Sequence, residues 1–452
     1  MRVLHVSLGV PPLRTGGMTR YCVELAEAQR DQGDEVSLLF PGRFLPGKTR
    51  IKKSSWRGIT TYEVINPLPV ALVYGIGEPD RFTAPCNNVA AYTELIESVK
   101  PDAIHVHAFQ GIHLEFFQEA KRLHVPILYT THDYYPICPR CTLINSEGRE
   151  CAEGPSPERC AACNLGKGMT YKKSLIMQSG LYARFKESRV LRAVGSRIKR
   201  SMSEVQNQGQ ESCNSSGPLG AHIRNFKNLL KYNNAIWDHF SCVLANSRQT
   251  EAIFRTHYSE ACYQLLPITH AGLRRTNRSL RSFGGKRVLQ VAYFGGSKIY
   301  KGFETLVEAS RILLCEGAHL EIRLYGGDYS GCEKVEQSIV CGRIDSDGVD
   351  AVLRKQDVVI VPSIYHETFG FVVLEALCNG VPVICSDAVG AKELVSSEWI
   401  FEAGNARQLA KLVEEMKRSD RIEVCLPRAY PLKMEQQAAA IKKIVFSDKT
   451  AS

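Results

Sequence analysis

VPSIYHETFGFVVLEALCNGVPVICSDAVGAKELV, Val361–Val395, carries two carboxylates eight positions apart, Glu367 and Glu375. The apolar run before it reads as a strand. YHETFG then reads as a loop, with glycine beside the first acid. Val372–Cys378 has the apolar spacing of a helix, and the second acid sits inside it. An asparagine-glycine turn and the strand candidate Val381–Cys385 follow. Strand, turn, helix and strand in this order make one unit of a parallel sheet covered on both faces. In such sheets ligands meet the loops at the carboxyl ends of strands and the free amides at helix starts.

Working outward, the same alternation fills most of the chain. VLQVAYFGG, Val288–Gly296, runs from strand to glycine turn, Phe303–Cys315 reads as a helix, and HLEIRLYGG, His319–Gly327, is strand and turn again. Toward the amino end, Arg2–Leu8 and Val36–Phe40 are strands flanking a helix over Thr19–Gln32. Ala103–His107, Ile127–Thr131 and Cys242–Ala245 continue the pattern. The chain of 452 residues is long for one hydrophobic core and comfortable for two. The reading is an α/β protein of two Rossmann-like parallel-sheet domains facing a central cleft. Residues 1–270 form the first domain, with an insertion at 138–232. Residues 285–430 form the second, and residues 431–452 a terminal helix or tail that packs back on the first. Leu265–Gly285 reads as the connection, and Leu412–Phe446 as mostly helical.

Composition narrows the class less than the pattern does. A formal charge of +10 suits phosphate-bearing ligands, anionic membrane surfaces or nucleic acid. Nucleic acid ranks last, because no aromatic-basic recognition motif or zinc-finger histidine pattern is present. No apolar run reaches membrane-spanning length. The start, MRVLHVSLGVPP, reads as a strand and turn rather than a secretory signal. A cytoplasmic protein is the expectation, with contact at the cytoplasmic face of a membrane open to the basic stretch Arg184–Lys199. Ser203–Gly217 has the composition of a loop or linker.

Two turns carry the candidate ligand chemistry. Carboxylates at Glu367 and Glu375 offer paired acceptor oxygens to the hydroxyls of a sugar and a ribose. The amides of Gly370 and Phe371, with Thr368 and Phe369 in the same turn, suit a diphosphate at the start of the helix. FGGSKIYKG, Phe294–Gly302, adds Gly295 and Gly296 at a strand end and the cations Lys298 and Lys301. Lys301 is the stronger choice for stabilising charge on a departing diphosphate. The turn lacks the GK[ST] ending of a P-loop and the full dinucleotide fingerprint. In the amino-terminal half, Gly16 and Gly17 of RTGGMTRYCVELA allow close backbone approach to donor phosphate or acceptor. Arg14 and Arg20 are weaker anion contacts. His105 and His107 of AIHVHAF fall on one side of a strand, His107 nearest its end. His132 and Asp133 form a further strand-end pair.

Together these motifs resemble the family 4 glycosyltransferases of the GT-B fold, from Pro11–Ala26 near the start to the Glu367–Glu375 stretch. The resemblance implies a retaining enzyme. It transfers a sugar from a nucleoside diphosphate, UDP ahead of GDP, to a hydroxyl on a glycan, a lipid-linked acceptor or a small molecule. It places Glu367 by the donor sugar, Glu375 by the ribose, Lys301 on the phosphates and His107 by the reacting sugar. No catalytic divalent ion is taken as obligatory, and no oligomeric partner is specified. The family often carries arginine where this chain has Gly296. A non-catalytic nucleotide-sugar or glycan-binding protein on the same fold is the alternative.

The sixteen cysteines include a cluster at Cys138, Cys141, Cys151, Cys160 and Cys163. Short CxxC pairs converge on tetrahedral zinc. Cys138, Cys151, Cys160 and Cys163 are the four-ligand choice, with Cys141 an alternative or a bystander. Some members of the family have a similar cysteine-rich insertion. An iron–sulfur centre, reduced structural thiols and disulfides are the other readings, ranked below zinc.

Overall fold

The computed structural model describes residues 1–151, 154–166, 168–180, 182, 218–274, 279–284, 288–327, 329, 332–344, 348–428 and 430–448. The basic stretch Arg184–Lys199 and the linker Ser203–Gly217 lie outside the described residues. The chain divides into two compact units. The first comprises Met1–Thr130, Tyr134–Cys141 and Glu153–Cys242; the second comprises Thr131–Asp133, Thr142–Ala152 and Val243–Ser452. Among the described residues no helix is long and apolar enough to cross a membrane.

In the first unit the strands are β1 (Arg2–Val6), β2 (Glu35–Pro41), β3 (Arg50–Trp56), β4 (Ile59–Ile65), β5 (Ala103–Val106) and β6 (Ile127–Thr130). Their order is β3-β4-β2-β1-β5-β6, parallel except for the β3–β4 hairpin. Sequences such as VLHV, AIHV and ILYT are apolar almost throughout because both faces of a parallel sheet are covered. The helix Gly17–Asp31 buries Tyr21, Cys22, Leu25, Ala26, Ala28 and Gln29, one stripe at helical spacing. Cys22, Val23 and Ala26 pack with Leu38 and Ile59. Each large aliphatic side chain so buried contributes about 2 kcal/mol. Strand order reverses at β1, which has β2 on one side and β5 on the other, and a crevice opens at such a switch point.

The second unit contains β7 (Cys242–Ala245, from its second residue), β8 (Tyr263–Leu265), β9 (Ser279–Arg281), β10 (Leu289–Tyr293), β11 (Leu320–Tyr325) and β12 (Ser338–Gly342). It continues with β13 (Val358–Val361), β14 (Val383–Ser386), β15 (Ile400–Phe401) and β16 (Ile422–Val424). Six of them form a parallel sheet in the order β12-β11-β10-β13-β14-β15. Its order reverses between β10 and β13. The core combines Leu289, Val291, Val358, Ile360 and Ile384 from the strands with Leu306, Leu313 and Leu409 from helices. The α/β fold class with parallel sheets is as expected. The stretch 412–446 is less helical than its composition suggests. Helix Ala406–Arg418 ends before β16, which pairs antiparallel with β9 through Glu423↔Leu280, and helix Met434–Asp448 follows.

Two buried histidines make the first unit sensitive to acid. Loss of solvent pushes His5 and His113 down from about 6.5 to about 4. Between these values the unfolded chain binds a proton at each site and the folded chain does not, so stability falls as pH drops. Below about pH 4 both states are protonated and the loss is complete. Each group is worth about 3 kcal/mol across the window. Urea unfolding followed from pH 7 to pH 4 should show midpoints falling through this range, with the steepest loss below pH 6.5.

Candidate functional site

The β10–β13 switch point brings the two motif turns of the second unit together. β10 runs into Phe294–Gly302 and β13 into Pro362–Gly370. Lys301 Nζ donates to Glu367 Oε1 at 2.7 Å and to the Tyr365 hydroxyl at 3.3 Å. Ser363 Oγ donates to the same carboxylate oxygen. Glu367 is 8% exposed in its side chain and Lys301 27%, so the pair is largely shielded yet open on the lysine side. Burial acts to lower the lysine pKa, but Glu367 and Tyr365 outweigh it and raise the group above its ordinary value. Lys301 is therefore a permanent cation. Burial pushes the Tyr365 phenol upward, so it stays protonated.

The backbone of the acid is held from both directions. Glu367 N–H donates to Ala388 O at 2.9 Å, and Gly390 N–H donates to Glu367 O at 3.0 Å. Ser247 and Thr250 hydroxyls both donate to Thr368 O, at 2.7 and 2.8 Å. Phe369 O accepts from Ala391 N–H at 2.7 Å. Gly370 precedes the helix Phe371–Cys378, so the first free amides of that helix open beside Glu367. The Tyr293 hydroxyl stitches the lysine turn by donating to Gly296 O at 2.9 Å and Lys301 O at 3.3 Å. Gly295 passes so close to this phenol that a β-carbon there would lie 2.0 Å from its oxygen.

Gly296, the position at which the family often has arginine, adopts φ +63°. A β-carbon in that conformation costs about 1 kcal/mol. Space is not the obstacle, because the nearest atom to such a β-carbon is 3.5 Å away. Lys298 does not join Lys301: its ammonium lies 5.4 Å over the Tyr300 ring.

Glu375 sits on the helix one turn beyond Phe371, and its carboxylate meets His270 Nε2 at 3.0 Å. Both side chains are nearly buried, and the His270 ring stands edge-on to Phe371 at 5.6 Å. Sequence reasoning misses His270 because PITHAGL has the look of a connector. It also misses Ser363 and Tyr365, although both lie just before Glu367; their place at the end of a buried strand is the available signal.

In the first unit, Gly16 and Gly17 open the helix Gly17–Asp31 and are exposed. Arg20 pairs with Glu24 at 2.8 Å. His107 follows β5 and is 1% exposed. His5 Nδ1 lies 3.0 Å from His107 Nε2, and His5 Nε2 lies 2.7 Å from Gln29 Oε1. His105 Nε2 meets Thr130 Oγ1 at 2.7 Å. Nitrogens of His5, His105 and His107 approach within 4.8 Å of one another, a spacing that could hold a metal ion. The His5–His107 separation is itself a hydrogen bond, and the His105 Nε2 bond goes to Thr130. His5 and Gln29 do not stand out by sequence, since a histidine inside VLHV reads as core. His132 and Asp133 belong to the second unit, where His132 O accepts from Thr368 Oγ1 at 3.1 Å.

The cysteine cluster is divided between the units. Cys138, Cys141, Cys160 and Cys163 lie in the first and Cys151 in the second. All five are outside disulfides. Among the described residues, Cys138, Cys160 and Cys163 do not form a group of converging ligand atoms. The Cys141 sulfur instead accepts from Gln110 Nε2 at 3.0 Å and donates to Leu72 O at 3.3 Å.

Comparison with known proteins finds a family match in each half of the chain. Residues 15–155 match the family described as Glycosyltransferase Family 4, and residues 287–418 match Glycosyl transferases group 1. An uncharacterised glycosyltransferase of Methanocaldococcus jannaschii is 32% identical over 134 residues, 27% of this chain and 34% of that protein. A phosphatidyl-myo-inositol mannosyltransferase of Mycobacterium leprae is 32% identical over 89 residues, 19% of this chain and 24% of that protein. The matched stretch thus spans about a third or less of these relatives. Among solved structures, trehalose-6-phosphate synthase OtsA superposes with a TM-score of 0.51 at 11% identity, covering 99% of this chain and 96% of that one. HepE of Anabaena, solved with UDP-glucose, gives 0.50 at 13% identity, covering 100% of this chain and 99% of that one. With a family 4 match on the amino-terminal side, a group 1 match around the Lys301–Glu367 turns, and GT-B structures along its whole length, the chain belongs to the family 4 group of GT-B glycosyltransferases.

Proposed function

We propose that the protein transfers a sugar from a nucleoside diphosphate, UDP first, to a hydroxyl acceptor with retention of anomeric configuration. The observation that carries this reading is the Lys301–Glu367 pair at the switch point, 2.7 Å apart beside the amides of Gly370 and Phe371. Lysine has three donor hydrogens, so Lys301 can keep Glu367 and still bind a diphosphate oxygen. Glu367 accepts from hydroxyls of the donor sugar, and Glu375, oriented by His270, accepts from the ribose. As the glycosidic bond lengthens, negative charge grows on the departing phosphate, and a fixed ammonium stabilises it. The acceptor proton passes to that phosphate on the same face, and no covalent enzyme–sugar intermediate is needed. His107 orders the sugar hydroxyls. HepE in complex with UDP-glucose favours UDP. The mannosyltransferase relative favours a lipid-linked hydroxyl, and the net charge of +10 suits an anionic membrane surface.

The chain also carries an Asp-x-Asp sequence, Asp345-Ser346-Asp347, which lies outside the described residues and bears on whether transfer needs a divalent ion. A panel of UDP-, GDP- and ADP-sugars, assayed with and without EDTA for released nucleotide, tests the proposal. The acceptors should include glycans and lipid-linked sugars. A UDP-sugar is expected to give UDP and a product whose anomeric configuration, read by proton NMR, equals the donor's. An inverted product would overturn retention. Binding of a donor with no turnover on any acceptor would replace the enzyme by a nucleotide-sugar-binding protein.

A further inference from the structure

We infer that Gln29 and His5 form a buried relay that fixes the tautomer of His107, making them positioning residues for the acceptor-side histidine. The assignment of His107 to the sugar rests on the proposed function; the relay itself rests on three side chains and their hydrogen bonds.

Gln29 is fully buried on the sheet-facing side of helix Gly17–Asp31. Its amide nitrogen has no hydrogen-bond partner among the described residues, so its carbonyl makes the contact that holds it. Its carbonyl Oε1, 2.7 Å from His5 Nε2, can only accept, so that nitrogen carries a hydrogen. His5 is also fully buried, on β1, and loss of solvent keeps it neutral at physiological pH. A neutral imidazole holds one hydrogen, so His5 Nδ1 is a bare acceptor. The group 3.0 Å from it, His107 Nε2, must then be the donor. His107 therefore carries a hydrogen on Nε2, which in the neutral ring leaves the lone pair on Nδ1. The polarity runs without a break from the glutamine carbonyl to the histidine.

Packing holds the rings in the orientation that the relay requires. His5 and His107 stack at 5.3 Å with 22° between planes, and the Tyr21 ring meets His107 edge-on at 5.7 Å. His105 is anchored separately on Thr130 and packs 4.2 Å from His107. The relay enters from the helix that follows the Gly16–Gly17 turn. One helix therefore supplies both a backbone turn for ligand approach and the group that sets the histidine's donor and acceptor sides.

Imidazole 15N spectra of the full chain, labelled at histidine and assigned with His5→Phe and His107→Ala, test this directly. In the unsubstituted protein at pH 7, His5 and His107 should each appear as a single tautomer with the hydrogen on Nε2. Gln29→Met keeps the length and removes the carbonyl; it should give mixed tautomers at both histidines. It should also lower kcat about fivefold with donor KM unchanged, as expected for one lost hydrogen bond. A hydrogen on Nδ1 of His107 in the unsubstituted protein would overturn the relay without any variant. So would an unchanged single tautomer in Gln29→Met. If the tautomers respond but His107→Ala transfers sugar normally, the relay stands and the role assigned to His107 fails.

Discussion

Lys301→Met is expected to lower kcat/KM for the donor about 10²- to 10³-fold, the loss typical of removing one fixed group from developing charge. The same substitution should also destabilise the fold. It leaves Glu367, 8% exposed in its side chain, without its cation, and breaking a buried pair costs about 3 kcal/mol. Those two effects can be separated. In the double variant Lys301→Met with Glu367→Gln, the unpaired charge is gone, and the amide still accepts from Ser363. Stability measured by urea unfolding should recover by about 1 kcal/mol or more, the cost of one unsatisfied polar group. Transfer should not recover, because neither the cation proposed for the phosphate nor the charged acceptor proposed for the sugar has returned. Recovery of both would make the pair a structural ion pair only. Recovery of neither would mean that the turn itself had changed shape.

What is legible in the sequence follows the range of the interactions involved. The elements that carry Glu367, Glu375 and Lys301 are readable because each is a local pattern: strand, glycine turn, helix. Helix Phe303–Cys315 is readable to the residue for the same reason. The pairing of Lys301 with Glu367 spans 66 positions. The resemblance gives the two residues separate roles and does not pair them, since no local pattern joins two turns across a switch point. His270 meets Glu375 over 105 positions, and nothing near either residue announces the contact. β16 is absorbed into a helical reading because its three residues become a strand only by pairing with β9, far back along the chain. The His5–Gln29 contact is hidden differently. Both residues sit at periodic core positions, where a polar side chain reads as an exception to the pattern, not as a partner for another.

The largest effect on stability is expected from Gly302→Ala. Gly302 ends the short turn Ile299–Lys301 and begins the helix Phe303–Cys315, at φ +73°. The left-handed backbone alone would cost alanine about 1 kcal/mol. The neighbouring strand end adds a much greater penalty. A β-carbon on Gly302 would lie 1.7 Å from Pro362 O and 2.5 Å from Pro362 C. Backbone cannot swing aside as the tip of a flexible side chain can. One of the two turns must therefore move, and the β10–β13 crevice must open with it. A loss of more than about 4 kcal/mol is expected, in the range where single substitutions become exceptional. Gly317→Ala is the matched control, because φ is +74° there and nothing lies within 4 Å of the added carbon. It should cost about 1 kcal/mol, from the backbone conformation by itself. If urea unfolding gives the two variants equal stability, the close approach at Pro362 does not constrain the site. If Gly302→Ala folds at low temperature, its donor affinity should still be reduced, since the displaced turn carries Lys301 away from Glu367.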